Sequence, residues 1–297
     1  MNATSQLSTV IAGCMKWGQW GEKFTTQQYL RLIEECLANK ITTFDHADIY
    51  GDYTAEEEFG NTLKENPSLR RQMQIITKCG IRRFTPNKPE NKIHSYDTSK
   101  EYIITAVEKS LQNFNTDYLD VFLIHRPDSL MHPHEIAEAF TILKQQGKVL
   151  HFGVSNFTSS QMDMMMTAFD IEFNQVEISV IKLEPFHDGT LDKCIQHKIR
   201  PMAWGALGSG KLHIEDDENE IRNKRILAVA KLLGEKYNAN PDQILLAFLL
   251  KHPAGIIPVM GTTKIERLKS AYDATRITIE REEWFMLWRA SMGHEVP

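Results

Sequence analysis

The sequence lacks the features that mark secreted, membrane-spanning and nucleic-acid-binding proteins. The first apolar run, residues 10–14, is short and broken by Gly13, and no stretch approaches the roughly 18 apolar residues of a membrane span, so we expect no signal peptide and no membrane partner. Four cysteines without a CxxC pair predict reduced thiols in a cytoplasmic protein, and no His/Cys spacing suggests a metal. The net charge of −5, with no long run of like charges, argues against nucleic acid as a partner.

What the sequence does contain is an alternation of short β-type runs with longer helix-period segments. The eight strand candidates are residues 9–13, 42–45, 73–78, 119–125, 150–154, 173–177, 200–204 and 256–260. The clearest helical segments are residues 27–38, 99–113, 133–145, 225–237 and 241–250. Parallel strands need long crossovers. Eight such units in 297 residues therefore predict an α/β fold, a closed (β/α)8 TIM barrel in a single domain spanning residues 1–297, with a doubly wound open sheet as the alternative.

Ionisable side chains stand at the ends of three neighbouring strand candidates. Asp45 ends the second candidate, Lys78 the third and His125 the fourth, and Tyr50 follows Asp45 by five residues. In a barrel, the carboxyl ends of the strands form the face where catalysis is built. An ammonium beside a phenol lowers the pKa of the phenol, and Asp45 would keep Lys78 charged and in place. We therefore predict that Tyr50 donates a proton to a developing alkoxide, while His125 orients a carbonyl oxygen or relays the proton.

These residues lie in motifs that resemble those of the aldo-keto reductase family. FDHADIYG resembles the family's Asp-x-Ala-x-x-Tyr-Gly signature, and IITKCG and LIHRPD match the segments of two further catalytic residues. FGVSNF and NQVEIS extend the likeness over nearly the whole chain, which is most similar to the YdhF-like branch of bacterial oxidoreductases. The resemblance implies a barrel enzyme that reduces an aldehyde or ketone with NADPH. It implies a catalytic tetrad of Asp45, Tyr50, Lys78 and His125, with Tyr50 as the general acid.

Small amide and hydroxyl groups end the next two strand candidates. Ser155 and Asn156 end the fifth and Gln175 ends the sixth. Such groups can donate to and accept from a carboxamide together, and by the resemblance they hold the amide of nicotinamide. Trp204 ends the seventh candidate, where the family places an aromatic ring that stacks on nicotinamide. By family position the same pocket is lined by the residues that end the first candidate, Gly13, Cys14 and Met15.

One loop matches a nucleotide-binding pattern imperfectly. It fits GxxxxGK and consists of Gly205, Ala206, Leu207, Gly208, Ser209, Gly210 and Lys211. A P-loop would continue with Ser or Thr to reach magnesium, but Leu212 stands there, so an NTPase is the weaker hypothesis. The resemblance implies instead that this loop cradles the pyrophosphate of a dinucleotide.

A second phosphate signal follows the eighth strand candidate, in the segment that contains Gly261, Thr262, Thr263, Lys264 and Arg267. Two cations on one face of a helix start form a natural phosphate site. The resemblance implies that this site binds the adenosine 2′-phosphate, which favours NADP over NAD. Gly261 stands where many family members have a lysine, and Ser270-Ala271 replace a Glu-Asn pair that contacts adenine. The strength of the NADPH preference is therefore left open.

The substrate pocket is the least determined part of the site. Trp17 and Trp20 lie on the first loop and either wall this pocket with Tyr50 and His125 or pack on neighbouring loops. Three loops would shape it, residues 15–22, 81–97 and 207–221. We expect the substrate to be a small-molecule carbonyl compound.

Two functions of different classes fit the motifs. The first is a carbonyl reductase that uses NADPH, and the second is a nicotinamide-binding sensor or regulatory protein with little turnover. The intact tetrad favours the enzyme, because a binding protein needs no tuned acid. The sequence leaves a monomer and a small homo-oligomer equally open.

Overall fold

Eight parallel strands of this chain close into a barrel. The computed structural model describes residues 7–214 and 219–296. Its strands are β1 (Ile11–Gly13), β2 (Thr43–Asp45), β3 (Gln74–Cys79), β4 (Ile81–Arg82), β5 (Ser95–Tyr96), β6 (Leu119–Ile124), β7 (Val149–Ser155), β8 (Phe173–Glu177), β9 (Arg200–Trp204) and β10 (Ile257–Met260). The barrel order is β1, β10, β9, β8, β7, β6, β3, β2. Since β1 pairs with both β2 and β10, no edge is left open, which confirms the predicted TIM barrel over the open sheet.

Helices alternate with the barrel strands and cover them from outside. They are α1 (Thr26–Ala38), α2 (Ala55–Glu65), α3 (Lys100–Phe114), α4 (Pro133–Gln145), α5 (Ser159–Met166), α6 (Thr190–His197), α7 (Glu220–Tyr237), α8 (Pro241–Leu250), α9 (Ile265–Ala274) and α10 (Arg281–Met292). Pro133 and Pro241 occupy first-turn positions, where the missing N–H costs nothing. Ser99 precedes α3 as predicted, but its hydroxyl donates to Asp97 Oδ1 (2.7 Å) instead of capping the helix.

The barrel interior is filled by apolar side chains. A buried cluster in the barrel is formed by Ile11, Ile76, Val121, Leu123, Phe173, Met202, Ile257 and Val259. A larger cluster lies between the strands and the helices. Because bulky side chains pack the interior, the barrel is not a channel, and polar groups collect at its rims.

The loops at the carboxyl ends of the strands contain more structure than the sequence indicated. Residues 81–97 include the antiparallel hairpin β4–β5, called here the mouth hairpin. The loop after β9 contains a 3-10 segment, Gly208–His213, and residues 215–218 of the predicted loop 207–221 lie outside the described residues. Among the helices that the structure describes, none is long and apolar enough to cross a membrane.

A glycine controls the packing of α2 on α3. A Cβ built on Gly60 would lie 1.9 Å from the carbonyl oxygen of Asn113 and 2.7 Å from Cα of Phe114, both backbone atoms. Alanine ordinarily favours a helix interior over glycine by about 1 kcal/mol. Here we expect Gly60→Ala to lower the free energy of unfolding by about 1–3 kcal/mol, because the two helices must separate.

Urea unfolding followed by circular dichroism would measure this effect. Asn61→Ala, on the exposed face of the same helix, is the control and should change stability by less than about 0.5 kcal/mol. Equal stability of the two variants would contradict the packing described for α2.

Candidate active site

The four predicted tetrad residues meet at the carboxyl-end mouth of the barrel. Asp45 is the last residue of β2, Lys78 lies one residue before the end of β3, and His125 directly follows β6. These strands are consecutive neighbours in the barrel, because β3 pairs with β2 on one side and with β6 on the other. Tyr50 begins the 3-10 turn Tyr50–Asp52 above β2. The barrel register therefore brings the four side chains to one place.

Lys78 is fully buried, and each of its three ammonium protons has an acceptor. Its Nζ lies 2.9 Å from Asp45 Oδ2, 2.7 Å from the carbonyl oxygen of His46 and 3.4 Å from Tyr50 Oη. Burial lowers the pKa of the ammonium, but the adjacent Asp45 carboxylate raises it, and the net shift is upward. Lys78 is therefore a fixed positive charge beside the Tyr50 hydroxyl.

Tyr50 departs from the expectation drawn from its neighbours. Burial raises the pKa of the phenol, and Lys78 offsets only part of that rise, so the net pKa lies above the ordinary value instead of below it. The sequence could not weigh burial against charge. Tyr50 consequently carries its proton throughout the neutral range.

His125 is buried and uncharged at neutral pH. Burial, and then the positive charges of Lys78 and Arg126, hold the pKa of its imidazole well below the usual range. Its ring meets the Tyr50 ring edge to face at 6.0 Å, and its Nδ1 is buried without a hydrogen-bond partner in the described structure. A neutral imidazole carries one N–H donor and one acceptor, which suits it to bind an oxygen without transferring charge.

A hydrogen-bonded network joins this cluster to the ends of β7, β8 and β9. Gln175 Nε2 donates to Asp45 Oδ1 (2.8 Å), and its amide oxygen has no hydrogen-bond partner among the described residues. Ser155 Oγ donates to the Gln175 carbonyl oxygen (2.8 Å) and accepts from Asn156 Nδ2 (2.8 Å). Trp204 Nε1 donates to Asn156 Oδ1 (3.0 Å). The predicted amide-binding residues therefore lie together, beside the indole ring.

The loop after β9 has backbone geometry suited to anions. Gly205, Gly208, Ser209 and Gly210 all have positive φ, between 54° and 85°. Such left-handed turns orient successive N–H groups toward a common concavity. Two features favour glycine at Gly208. Its φ is positive, and a Cβ there would lie 2.6 Å from the end of the Ile181 side chain, which would have to move. The backbone of this loop is therefore compatible with the predicted pyrophosphate site, which stays a prediction.

Two cations stand at the start of α9. Lys264 occupies the N-cap position, and Arg267 follows in the first turn. Both side chains are exposed, and neither forms an ion pair in the part of the chain that the structure describes. The segment before them is held by Trp17, whose Nε1 donates to the carbonyl oxygen of Thr262 (3.0 Å). After them in the helix, Ser270 Oγ accepts from Asn240 Nδ2 (3.0 Å). These cations are therefore free to bind a phosphate.

The two tryptophans of the first loop have different environments. Trp17 has no exposed surface and packs against Phe24, Tyr29 and Phe44, which argues against the expectation that it walls a substrate site. Trp20 is half-buried, with its ring 6.0 Å from that of Tyr50.

The neighbours of these tryptophans at the end of β1 also differ in exposure. Cys14 is buried, and burial holds the pKa of its thiol well above the usual range, while Met15 is exposed. Among the three residues predicted to line the nicotinamide pocket, Met15 is thus open to a ligand through its side chain. Gly13 has no side chain to offer.

Two arginines at the mouth were not singled out in the sequence. Arg126 follows His125, its guanidinium carbon lies 5.8 Å from the centre of the Trp204 ring, and it lines a pocket of about 410 Å³. Arg83, on the mouth hairpin, lies 4.9 Å above the Trp20 ring. The LIHRPD motif itself pointed to Arg126, whereas the position of Arg83 depends on the hairpin.

Comparison with known proteins gives matches over almost the whole chain. A model of the aldo/keto reductase family matches residues 9–290. The chain is 42% identical over 295 residues to oxidoreductase YdhF of Escherichia coli, covering 98% of this chain and 96% of that protein. It is 36% identical over 293 residues to a 6-dehydroglucose reductase of Agrobacterium fabrum, covering 98% and 96%.

Solved structures match as well. The structure of an aldo-keto reductase from Klebsiella pneumoniae in complex with NADPH has a TM-score of 0.76 and 25% identity, covering 95% of this chain and 90% of that one. The resemblance inferred from the motifs, including the YdhF-like branch, is confirmed.

The residue after Asp45 gives this site a pH-dependent stability. The His46 ring packs edge to face against Phe59 (4.6 Å) and Phe114 (5.1 Å), and both its ring nitrogens are buried without hydrogen-bond partners in the described structure. Burial, and then Lys78, lower its pKa to about 3. In the unfolded chain the imidazole of His46 binds a proton below a pH of about 6.5. In the folded chain the buried imidazole stays unprotonated until the pH falls to about 3. Stability is therefore lost as the pH falls.

We expect His46→Met to remove about 2 kcal/mol of the difference in unfolding free energy between pH 7.5 and pH 5.0. Urea unfolding of both proteins at the two pH values would measure it. His134→Met, at an exposed histidine, should leave the difference unchanged. The expectation fails if His46→Met keeps the full pH dependence of the wild type.

Proposed function

Since this chain belongs to the aldo/keto reductase family, we propose that it is an NADPH-dependent oxidoreductase that reduces a small aldehyde or ketone to an alcohol. The observation that carries the proposal is the Lys78 ammonium, held 2.9 Å from Asp45 Oδ2 and 3.4 Å from Tyr50 Oη. A nicotinamide-binding sensor would gain nothing from a buried cation directed at a phenol. The enzyme is therefore the better supported of the two functions.

The protein's part in the reaction is the handling of one proton. When bound, NADPH would supply hydride to the carbonyl carbon. Tyr50 holds a proton at Oη and releases it to the carbonyl oxygen as negative charge develops there. Lys78 stabilises the phenolate that remains, and Asp45 keeps Lys78 cationic. His125, being neutral, can donate a hydrogen bond to the same oxygen and fix its direction.

The described residues fit a dinucleotide along one path across the mouth. Ser155, Asn156 and Gln175 would hold the carboxamide, since the Gln175 amide oxygen is left without a partner beside Asp45. Trp204 would stack on the nicotinamide ring. The left-handed loop after β9 would hold the pyrophosphate. Lys264 and Arg267 would bind the 2′-phosphate that distinguishes NADPH from NADH.

One relative suggests a class of substrate that should be included in the first tests. The 6-dehydroglucose reductase of Agrobacterium fabrum, 36% identical to this chain, is named for a sugar aldehyde. Polar aldehydes therefore belong in a first panel together with aryl aldehydes, dicarbonyls and ketones. Fold alone does not specify which of them is physiological.

Replacing the acid tests the proposal directly. We expect Tyr50→Phe to lower kcat by about 10²–10⁴-fold, because the proton must then come from water. NADPH affinity should change little, as the hydroxyl is not assigned to cofactor binding. NADPH oxidation at 340 nm with the aldehyde panel measures the first quantity, and fluorescence titration with NADPH the second.

Tyr96→Phe, at an exposed tyrosine of the mouth hairpin, is the matched control and should keep wild-type rates. Wild-type protein that binds NADPH but reduces no carbonyl compound above background would favour the sensor.

The cations of α9 give a separate prediction about the cofactor. We expect Arg267→Ala to weaken NADPH binding by about tenfold or more and to leave NADH binding nearly unchanged, since only NADPH carries the 2′-phosphate. Lys264→Ala should act in the same direction. Lys269→Ala removes an exposed charge from the same helix and should affect neither cofactor. Equal weakening of NADPH and NADH by Arg267→Ala would contradict the assignment.

A further inference from the structure

Arg83 of the mouth hairpin is held in place at four points. Its backbone N–H donates to Tyr53 Oη (2.8 Å), and its carbonyl oxygen accepts from Asn91 Nδ2 (3.0 Å). Its side-chain Nε donates to Asp52 Oδ1 (3.1 Å). The guanidinium carbon lies 4.9 Å above the centre of the Trp20 ring. Backbone and side chain are both held, so this guanidinium has a defined position and plane.

The two terminal nitrogens of Arg83 remain unused. Among the described residues only Nε finds an acceptor, and Nη1 and Nη2 have none. Arg70, which ties strands together at the other end of the barrel, is different. Its Nε, Nη1 and Nη2 all donate, to Thr116, Met73 and the pair Tyr118 and Asp120. The protein thus saturates the Arg70 guanidinium, whereas Arg83 leaves two parallel terminal N–H groups without an acceptor among the described residues.

The Arg83 guanidinium is linked to Tyr50 through the ring of Trp20. The Trp20 ring that supports Arg83 lies 6.0 Å from the Tyr50 ring, centre to centre. The sum of this distance and the 4.9 Å stacking distance, about 11 Å, is an upper limit on the separation of the guanidinium carbon from the Tyr50 ring. A small molecule with its carbonyl at Tyr50 can therefore reach Arg83 with a group several bonds away.

Local charge favours an anion at this place. Residues 81–97 carry four cations, and the anions that face them are three, namely Asp52, which pairs with Arg83, Asp97, which pairs with Arg82, and Glu90, which pairs with Lys88, so one positive charge is left in excess. The chain as a whole has a net charge of −5. A positive segment over the mouth of an acidic protein raises the local concentration of anionic ligands. A planar guanidinium fork with two free N–H groups matches the two oxygens of a carboxylate or phosphate.

We propose that Arg83 is a specificity-determining residue that binds an oxyanion, a carboxylate or a phosphate, on the carbonyl substrate. This inference rests on the proposed function and deepens it. The enzyme selects carbonyl compounds that carry a negative group a few bonds from the reacting carbon. Trp20 serves as the platform that holds the guanidinium in plane, and Asp52 orients it through Nε.

Steady-state kinetics with matched substrates test the inference. The probes are 4-carboxybenzaldehyde, its neutral methyl ester and 4-formylphenyl phosphate. We expect Arg83→Gln to lower kcat/KM for at least one anionic probe by about tenfold or more, with less than about threefold change for the ester. Arg83→Lys keeps the positive charge without the planar guanidinium fork. Its kcat/KM for the anionic probe should lie between the values of the wild type and of Arg83→Gln. Lys92→Gln removes an exposed charge from the same segment and should act like the wild type, which separates a specific contact from general steering.

A binding measurement keeps this test independent of turnover. The measurement is isothermal titration of the NADP⁺-loaded protein with 4-(hydroxymethyl)benzoate, its methyl ester and 4-(hydroxymethyl)phenyl phosphate. We expect Arg83→Gln to weaken the binding of at least one of the two anions and to leave the affinity for the methyl ester unchanged. A loss with the carboxylate, the phosphate or both supports the inference and identifies the group. An unchanged ratio of anion to ester affinity in Arg83→Gln, or no binding of either anion to the wild type, overturns it. Arg83-dependent anion binding without carbonyl reduction would leave this site standing while the proposed reductase activity fails.

Discussion

The buried ion pair of Lys78 and Asp45 is the interaction on which the mouth of this barrel depends. Removing both charges from water costs several kcal/mol per ion, and the protein recovers that cost only because every ammonium proton has an acceptor. Both oxygens of Asp45 lie against the Lys78 ammonium, and Oδ1 also accepts from Gln175 Nε2, so the same carboxylate fixes the cation and an amide of β8. Loss of either charge would leave the other buried and unpaired. The pair therefore joins Tyr50, the proposed acid, and the proposed nicotinamide site into one arrangement.

Around this pair, burial keeps the other titratable groups neutral. It raises the pKa of Tyr50 and lowers that of His125, so a phenol and an imidazole both face a fixed positive charge without carrying charge themselves. The mouth thus contains one committed ion pair and two neutral groups that can share a hydrogen bond with an oxygen. Such an environment stabilises negative charge that appears during a reaction better than charge that is already present in the ground state.

Much of this arrangement follows from sequence pattern. The strands were predicted to within a residue or two at most ends, because a buried parallel strand reads as an apolar run that stops at a polar residue. For the same reason the sequence pattern alone places Asp45, Lys78 and His125 at one rim. Helices α2 and α6 were not anticipated, since Gly60 interrupts the first and the second spans only Thr190–His197. The sign of the Tyr50 pKa shift escaped prediction, and the sequence left open whether Trp17 walls the pocket or packs on neighbouring loops, because both depend on which groups pack above a loop. The same holds for Arg83, whose partners come from three separate segments.

The turn between the acid and the mouth hairpin has an unusual backbone. Gly51, Asp52 and Tyr53 follow Tyr50 directly, and all three have left-handed φ angles of 60°, 56° and 73°. For the two residues with side chains this conformation stores about 1–3 kcal/mol each and persists only where the surroundings enforce it. Here the enforcement comes from the hairpin segment, in which the backbone N–H of Arg83 donates to Tyr53 Oη (2.8 Å) and Asn87 Nδ2 donates to the Asp52 carbonyl oxygen (2.9 Å). Neither contact uses the Arg83 guanidinium, so the hairpin braces the backbone that carries the Tyr50 phenol while that side chain stays available for another task.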